Sequence, residues 1–174
     1  MTEAPPQPII SAEQIARRID ELAREIIADL GTSFVMVIVL KGAFVFGADL
    51  LRSLGRLGAR PRVEFFGLSS YGAGRQTRGA VTPWTPVPEV KGEHVLLVED
   101  VLDSGLTVTY ASEALRQTGA ASVRLCALLD KPSRHQVQIA ADHVGFTIPD
   151  QFVVGYGIDW AERWRELSDV AAVD

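Results

Sequence analysis

The chain has 174 residues, the size of one domain with a sizeable buried core, and its 47% hydrophobic and 22% charged residues are typical of a soluble globular protein. Its formal net charge of −5 argues against a nucleic-acid partner, which would require a clustered basic excess. The sequence has neither a secretory signal nor an apolar stretch of membrane-spanning length. Its lone Cys126 cannot form an internal disulfide, so we expect a cytoplasmic protein with no membrane partner.

The first predicted elements are an extended arm and an amphipathic helix. Prolines at the start of the chain predict that residues 1–10 form the arm. Ser11 and Gln14 have the spacing of a capping box, which predicts a helix start, and Gly31 predicts its end. The apolar residues of this helix recur at helical spacing and are expected in the core: Ile15, Ile19, Leu22, Ile26 and Leu30.

A run of β-forming residues from Phe34 to Leu40 predicts the first strand of a larger sheet. The run stops at Lys41 and Gly42, before a helical segment over residues 43–54, so the turn after this strand carries a cation. On these residues alone, Lys41 is equally consistent with a solvated loop lysine.

A further strand, from Arg62 to Leu68, leads into a long connection over residues 69–93. A connection of this length inside a compact domain is more often a lid or a binding loop than padding. Its prolines, at positions 83, 86 and 88, exclude a regular central strand. We interpret Trp84 within it as an oligomer contact, in preference to a lid anchor or part of a substrate pocket.

The most informative stretch is VLLVEDVLDSGLTV, at residues 95–108. An apolar run without alternation is typical of a parallel strand covered on both faces. The turn after such a strand lies at the carboxyl edge of the sheet, where α/β sheets bind ligands. Taken alone, an acidic strand end and a glycine turn would be an ordinary connection between a strand and a helix.

The turn in this stretch combines an anion site with acidic neighbours. Gly105 and the hydroxyls of Ser104 and Thr107 suit an anion at a helix N-terminus. Three carboxylates in five positions stand beside them: Glu99, Asp100 and Asp103. Because these acids would repel a bare phosphate, the sequence favours a ligand with phosphate at one end and hydroxyls or a metal cation at the other. A sugar phosphate with Mg²⁺ fits this description.

The rest of the chain predicts two more strands and a final helix. A strand from Ser122 to Leu129 is followed by Lys131, which on the sequence alone is a surface turn residue. A short strand from His143 to Phe146 precedes a segment rich in apolar and aromatic residues, and a helix is predicted over residues 160–167. The three histidines and the cysteine do not have the spacing of a zinc site.

The stretch at residues 95–108 resembles the phosphoribosyl diphosphate (PRPP) signature of the type I phosphoribosyltransferases, most closely that of the hypoxanthine-guanine branch. The resemblance covers about residues 34–167, with four separated motifs in the order of that family. It implies an α/β fold with a mainly parallel central sheet flanked by helices, in a single domain over residues 1–174. It also implies a small hood over residues 130–174 and a mobile lid loop over residues 69–93.

The resemblance implies roles for individual residues. PRPP would contact Leu40, Lys41, Gly42, Ser70, Tyr71, Glu99, Asp100, Asp103, Ser104, Gly105, Leu106, Thr107 and Arg165. The base would contact Lys131, Phe152, Val153 and Asp159, and Mg²⁺ would be held by Glu99, Asp100 and Asp159. Lys131 would donate to O6 of a 6-oxopurine, Phe152 would stack on the ring, and Asp103 would accept the proton from N7. The family often has a non-proline cis peptide at the Leu-Lys-Gly turn, and the sequence leaves open whether the Lys41–Gly42 bond is cis.

The implied function is purine salvage, in which a homo-oligomeric enzyme transfers the 5-phosphoribosyl group of PRPP to N9 of hypoxanthine, and also of guanine. One departure is the segment VTPWTPVPEV, at residues 81–90, where relatives continue with an alternating β-forming segment. This altered lid leaves open a preference for xanthine. A non-catalytic regulator that senses PRPP or nucleotide is a further alternative, and the acidic charge argues against its acting on RNA.

Overall fold

The computed structural model describes residues 6–70 and 81–173. In chain order its elements are β1 (Gln7–Ile10), α1 (Ala12–Leu30), β2 (Val35–Leu40), α2 (Phe44–Arg56), β3 (Arg62–Ser70), β4 (Val81–Pro83), β5 (His94–Leu102), α3 (Leu106–Gln117), β6 (Ser122–Asp130), a 3-10 turn (Pro132–Arg134), β7 (His143–Thr147), β8 (Val153–Val154) and β9 (Val170–Ala172).

The larger sheet has six strands in the order β4-β3-β2-β5-β6-β7, and all pairings are parallel except that of the edge strand β4 with β3. Strands β2 and β5 are buried because α1 and α2 pack on one face of the sheet and α3 packs on the other. This arrangement confirms the predicted α/β fold with a mainly parallel sheet. The parallel strands end at one edge, so the turns that follow them meet there.

The first helix has the predicted limits. The Ser11 hydroxyl accepts the N–H of Gln14 at 3.2 Å, and the Gln14 side chain accepts the N–H of Ser11 at 2.8 Å, which completes the capping box. The helix ends at Gly31, whose φ of 76° lies in the left-handed region. Of the five predicted core residues, four are buried and Leu30 is half-buried against the same cluster.

A smaller antiparallel sheet has the order β1-β9-β8. Residues 7–10 are extended as predicted, but they are not a frayed arm, because Gln7 pairs with Ala172 and Ile10 with Val170. The hydrogen-bond partners of this segment come from a distant part of the chain, which local sequence could not indicate. The predicted hood over residues 130–174 stays a prediction as a unit, because its sheet also includes β1.

The prediction of a helix over residues 160–167 is wrong. The segment is a series of turns in which Ala161, Glu162 and Trp164 have φ values of 52°, 62° and 76°. The backbone N–H and C=O groups of Trp160 and Arg163 pair with each other at 3.1 Å in both directions, so the segment folds back in a tight turn in place of a helix. The carboxylate of Asp159 accepts the N–H of Glu162 at 2.8 Å.

The predicted lid region is described in part. Tyr71 and the rest of residues 71–80 lie outside the described residues, and the lid stays a prediction. The short edge strand β4 confirms that the prolines exclude a central strand at this place. Trp84 packs over β3, since a Cβ on Gly67 would lie 2.5 Å from its ring. Its side chain is nevertheless 53% exposed, and the oligomer contact stays a prediction.

Within the described ranges, none of the helices combines the length and the apolar character that crossing a membrane requires.

Candidate active site

A cleft of about 790 Å³ lies at the carboxyl edge of the larger sheet. It is formed by the turn after β2, the end of β5, the turn that leads into α3, and the segment after β6. The sequence-predicted site residues that line it are Leu40, Lys41, Gly42, Glu99, Asp100, Asp103, Ser104, Gly105, Leu106 and Thr107. The register of β2 against β5, with Ile38 beside Val98, is what brings the two main turns together.

The end of β5 presents an acidic pair to the cleft. Strand β5 extends to Leu102 and so contains both Glu99 and Asp100, which the sequence placed after the strand. Glu99 is 6% exposed and accepts the N–H of Asp100 at 3.2 Å. Burial, and next the neighbouring carboxylate of Asp100, raise the pKa of Glu99 well above its usual range. Such a pair suits a ligand that supplies hydroxyl donors or a divalent cation.

The acidic pair fits Mg²⁺ only in combination with other ligands. The carboxylate of Asp159, the third predicted metal ligand, is paired with Arg165 at 2.9 Å and with the N–H of Glu162. Among the described residues, His, Cys, Asp and Glu side chains form no group of three that could hold a metal ion. Mg²⁺ commonly takes one or two protein carboxylates and completes its shell with water and substrate oxygens.

The turn after β2 packs tightly on the acidic pair. A Cβ on Gly42 would overlap the carboxylate of Asp100, so only glycine fits there. The peptide bond between Leu40 and Lys41 is cis, one bond earlier than the Lys41–Gly42 bond that the sequence left open. The close approach continues on the other side, where a Cβ on Gly157 would lie 2.5 Å from the carbonyl oxygen of Gly42.

The turn into α3 has the form of an anion site. Gly105 caps the helix with a φ of 83°, and the N–H of Leu106 donates to the Ser104 hydroxyl at 3.3 Å. A Cβ on Gly105 would lie 2.8 Å from both Val137 and Ile139, so the segment after β6 forms the outer wall of this turn. Free N–H groups at the start of a 12-residue helix favour a phosphate here.

Two residues that the sequence analysis missed hold this turn from the outside. The Arg134 guanidinium donates to the carboxylate of Asp103 at 3.0 Å and lies 3.7 Å from that of Asp150. The N–H of Gln136 donates to the carbonyl of Ser104 at 2.9 Å. Both follow Lys131 closely in the chain, but no spacing rule links them to a turn 30 residues earlier.

Among the described residues that line the cleft, none is a predicted base-binding residue. Lys131 is 6% exposed, and its N–H donates to the carbonyl of Leu102 at 3.0 Å. Phe152 is 53% exposed and meets Trp160 edge-on, with ring centres 6.2 Å apart. Val153 is buried in β8. Trp160 is a further aromatic residue that the sequence analysis did not select.

The two predicted cationic contacts, Lys41 and Arg165, are joined by a residue that the sequence analysis missed. Lys41 Nζ lies 3.0 Å from one carboxylate oxygen of Glu162, and Arg165 lies 3.3 Å from the other. Arg165 also donates to the carbonyl of Gly157 at 2.8 Å. Glu162 is three residues from Arg165 in the chain, but Lys41 is 121 residues distant, so nothing in the sequence indicated that one carboxylate joins them.

The raised pKa of Glu99 predicts a pH effect on stability. The unfolded carboxyl ionises near pH 4.5, whereas folded Glu99 keeps its proton to higher pH. The contribution of this group to the free energy of unfolding is therefore present below pH 4.5 and is lost as pH rises towards the folded pKa. In Glu99→Gln this decline should be absent.

Urea denaturation of the ligand-free protein between about pH 5 and 9 measures this difference. Glu93→Gln, at an exposed position before the same strand, is the matched control and should follow the wild-type curve. If the curves of Glu99→Gln and wild type are parallel, Glu99 does not titrate as described.

Comparison with known proteins identifies the family to which this chain belongs. The sequence matches the phosphoribosyl transferase domain over residues 9–161. It is 43% identical to the hypoxanthine phosphoribosyltransferase of Salmonella typhimurium, covering 95% of this chain and 93% of that protein. It is 41% identical to the hypoxanthine-guanine phosphoribosyltransferase of Bacillus subtilis, covering 91% and 88%.

The fold agrees with the sequence comparison. A crystal structure of a hypoxanthine-guanine phosphoribosyltransferase from Bacillus anthracis superimposes with a TM-score of 0.89 at 40% identity, covering 97% of this chain and 98% of that one. The chain therefore belongs to the phosphoribosyltransferase family, within its hypoxanthine-guanine branch.

Proposed function

We propose that this enzyme transfers the 5-phosphoribosyl group of PRPP to N9 of hypoxanthine and guanine, which gives IMP and GMP and releases pyrophosphate. The observation that carries the proposal is the convergence of three features on one cleft. These are the acidic pair of β5, the anion site at the start of α3, and the cationic turn after β2. Together they match the hydroxyls, the 5-phosphate and the diphosphate of a single substrate.

The 5-phosphate is assigned to the turn into α3. Backbone N–H groups there and the hydroxyls of Ser104 and Thr107 supply donors, and the helix dipole favours negative charge. Leu106 and Gly105 contribute only backbone, and the close packing of Gly105 on Val137 holds that backbone in place. A phosphate bound in this way fixes the ribose relative to the base. The two reactants are then held in position, which lowers the entropic part of the barrier.

The acidic pair is assigned to the ribose hydroxyls and to Mg²⁺. When bound, Mg²⁺ supplies positive charge that neutralises the diphosphate oxygens. As the bond at C1 breaks, positive charge grows on the ribose ring, and the carboxylate of Asp100 stabilises it together with the oxygens of the buried Glu99 beside it. Asp159 lies near Arg165 and contributes as a metal ligand only if that ion pair opens.

The diphosphate is assigned to Lys41, Gly42 and Arg165. The backbone of Gly42 lies against Asp100, and Leu40 lines the same cleft, so the leaving group and the ribose are held by adjoining surfaces. Ser70 is the last residue of β3, and Tyr71 follows it in the sequence. We assign both to a lid that excludes water while the cationic ribose exists.

The purine is assigned to the segment after β6 and to β8. Lys131 suits a carbonyl oxygen at C6, because an ammonium donates hydrogen bonds and cannot accept one from an amino group. Phe152 presents an exposed ring for stacking, and the backbone of Val153 contacts the purine edge. Asp103, in the cleft, accepts the proton from N7 as N9 attacks C1.

We also propose that the enzyme forms a homo-oligomer and acts in the cytoplasm. Phe65 and Gly67 point to the same face of β3, and Trp84 covers Gly67, so Phe65 and Trp84 form one apolar surface with both side chains about half exposed. Such a surface suits burial against a second copy of the chain. The buried thiol of Cys126 suits a reducing compartment.

The experiment that tests this function is an ultraviolet assay of nucleotide formation with PRPP and Mg²⁺, run in parallel on hypoxanthine, guanine, xanthine and adenine. We expect conversion of hypoxanthine and guanine, with adenine inert. Lys131→Met should remove the preference for 6-oxopurines while leaving the KM for PRPP unchanged. Preferential conversion of xanthine would replace the proposed substrates, and folded protein that binds PRPP but converts no base would favour a regulator.

The role of Asp103 is tested by Asp103→Asn, which keeps the shape of the side chain but cannot accept the proton from N7. We expect the affinity for PRPP to be largely intact and kcat to fall by about 10- to 10,000-fold. Asp150→Asn is the matched control, because Asp150 is an exposed carboxylate on the same guanidinium and should keep full kcat. Unchanged kcat in Asp103→Asn would remove the proposed role.

The packing of Gly42 on the acidic pair is tested by Gly42→Ala. The added methyl would overlap the Asp100 carboxylate and displace the turn or the acid, so we expect kcat/KM for PRPP to fall at least about tenfold. Gly55→Ala, at a helix position where a methyl meets open space, should leave kcat/KM unchanged. A Gly42→Ala enzyme with normal kcat/KM would show that this contact does not position the site.

A further inference from the structure

Glu162 makes a bridge between the two side chains to which the diphosphate is assigned. One of its carboxylate oxygens lies 3.0 Å from Lys41 Nζ, and the other lies 3.3 Å from the guanidinium of Arg165. The two oxygens of one carboxylate thus occupy two separate cations, as two oxygens of a phosphate group would. The proposed transfer of the phosphoribosyl group does not itself require a carboxylate between these two cations.

The backbone around Glu162 aims its side chain at these cations. Its φ of 62° lies in the left-handed region, and its N–H donates to Asp159 at 2.8 Å. Arg165 is fixed independently of Glu162, by the carbonyl of Gly157 at 2.8 Å and by Asp159 at 2.9 Å. For Lys41, by contrast, Glu162 is the one ion-pair partner among the residues that the structure describes.

The cluster is electrically balanced without substrate. Hydrogen bonds from Lys41, and next from Arg165, lower the pKa of Glu162, so its carboxyl is ionised at neutral pH. The charges of Lys41 and Arg165 are then matched by those of Glu162 and Asp159. An incoming diphosphate therefore meets cations that already have partners.

We propose that Glu162 is an internal counter-anion, which occupies Lys41 and Arg165 in the empty enzyme and must be displaced when pyrophosphate or the diphosphate of PRPP binds. The inference rests on the proposed function of these two cations. Its consequence is that Glu162 weakens the binding of pyrophosphate and favours its release after the transfer.

The exposure of the pair fits displacement by a substrate. The Lys41 and Glu162 side chains are 59% and 65% exposed, so water screens their attraction and the pair is weak. A diphosphate carries more charge than one carboxylate and competes successfully. The opposite role is that Glu162 pre-positions the cations for the diphosphate, and the two roles predict changes of opposite sign when the carboxylate is removed.

The test is the dissociation constant of pyrophosphate with Mg²⁺, measured by isothermal titration calorimetry at fixed ionic strength. Glu162→Gln removes the charge, and Glu162→Asn also shortens the side chain while keeping a residue that tolerates positive φ. We expect both variants to bind pyrophosphate about three- to tenfold more tightly than wild type, as the loss of two ion pairs to one exposed carboxylate implies. The product-inhibition constant of pyrophosphate should fall by the same factor, and the KM for the base should not change.

Glu166→Gln is the matched control, because Glu166 is a carboxylate of the same segment that lies on a cleft between α1 and α2, which Arg165 also lines but Lys41 does not. It should bind pyrophosphate as wild type does. Unchanged or weaker binding in both Glu162 variants, with a wild-type enzyme that binds pyrophosphate and converts a base, overturns the counter-anion and leaves the proposed function intact. A wild-type protein that neither binds pyrophosphate nor converts any base overturns both.

Discussion

The parallel pairing of β2 with β5 is the interaction on which the site depends. Both strands are buried on both faces, and their register brings the turn at Gly42 against the acid at Asp100. A shift of one residue between these strands would move every side chain to the opposite face and separate the two turns. The hydrophobic faces that stabilise the sheet therefore also set the geometry of the cleft, and the core residues Val39, Leu68 and Leu102 form part of its lining.

In the proposed assignment, the acid and the cation that meet different parts of the substrate differ in their exposure to water. Glu99, assigned to the ribose, is buried, and burial of a carboxyl without an opposite charge beside it lowers the stability of the fold. Lys41, assigned to the diphosphate, is on an exposed turn, where its ion pair with Glu162 is easily rearranged. Purine transfer needs this contrast, because the ribose must be stabilised in place while the diphosphate must leave.

The sequence predicted those parts of the structure whose causes are local or periodic. The capping box at Ser11 and the apolar run before Glu99 each predicted their elements, and the resemblance predicted which turns meet. The prediction failed over residues 160–167, because the backbone groups of Trp160 and Arg163 pair with each other in a tight turn that the helical spacing did not indicate. The contacts of Arg134 and Glu162 could not be predicted, since each joins turns that only the folded sheet brings together.

The segment from Lys131 to Ile139 contacts both the end of β5 and the turn into α3. Its first residue is tied to the end of β5, and its later residues fill the space that Gly105 leaves beside the phosphate turn. An insertion or deletion within it would push the wall into that turn or open a gap behind it. A change of length in this segment would therefore disturb the turn at the start of α3, whereas an exchange of side chains at constant length elsewhere in it would leave that turn in place.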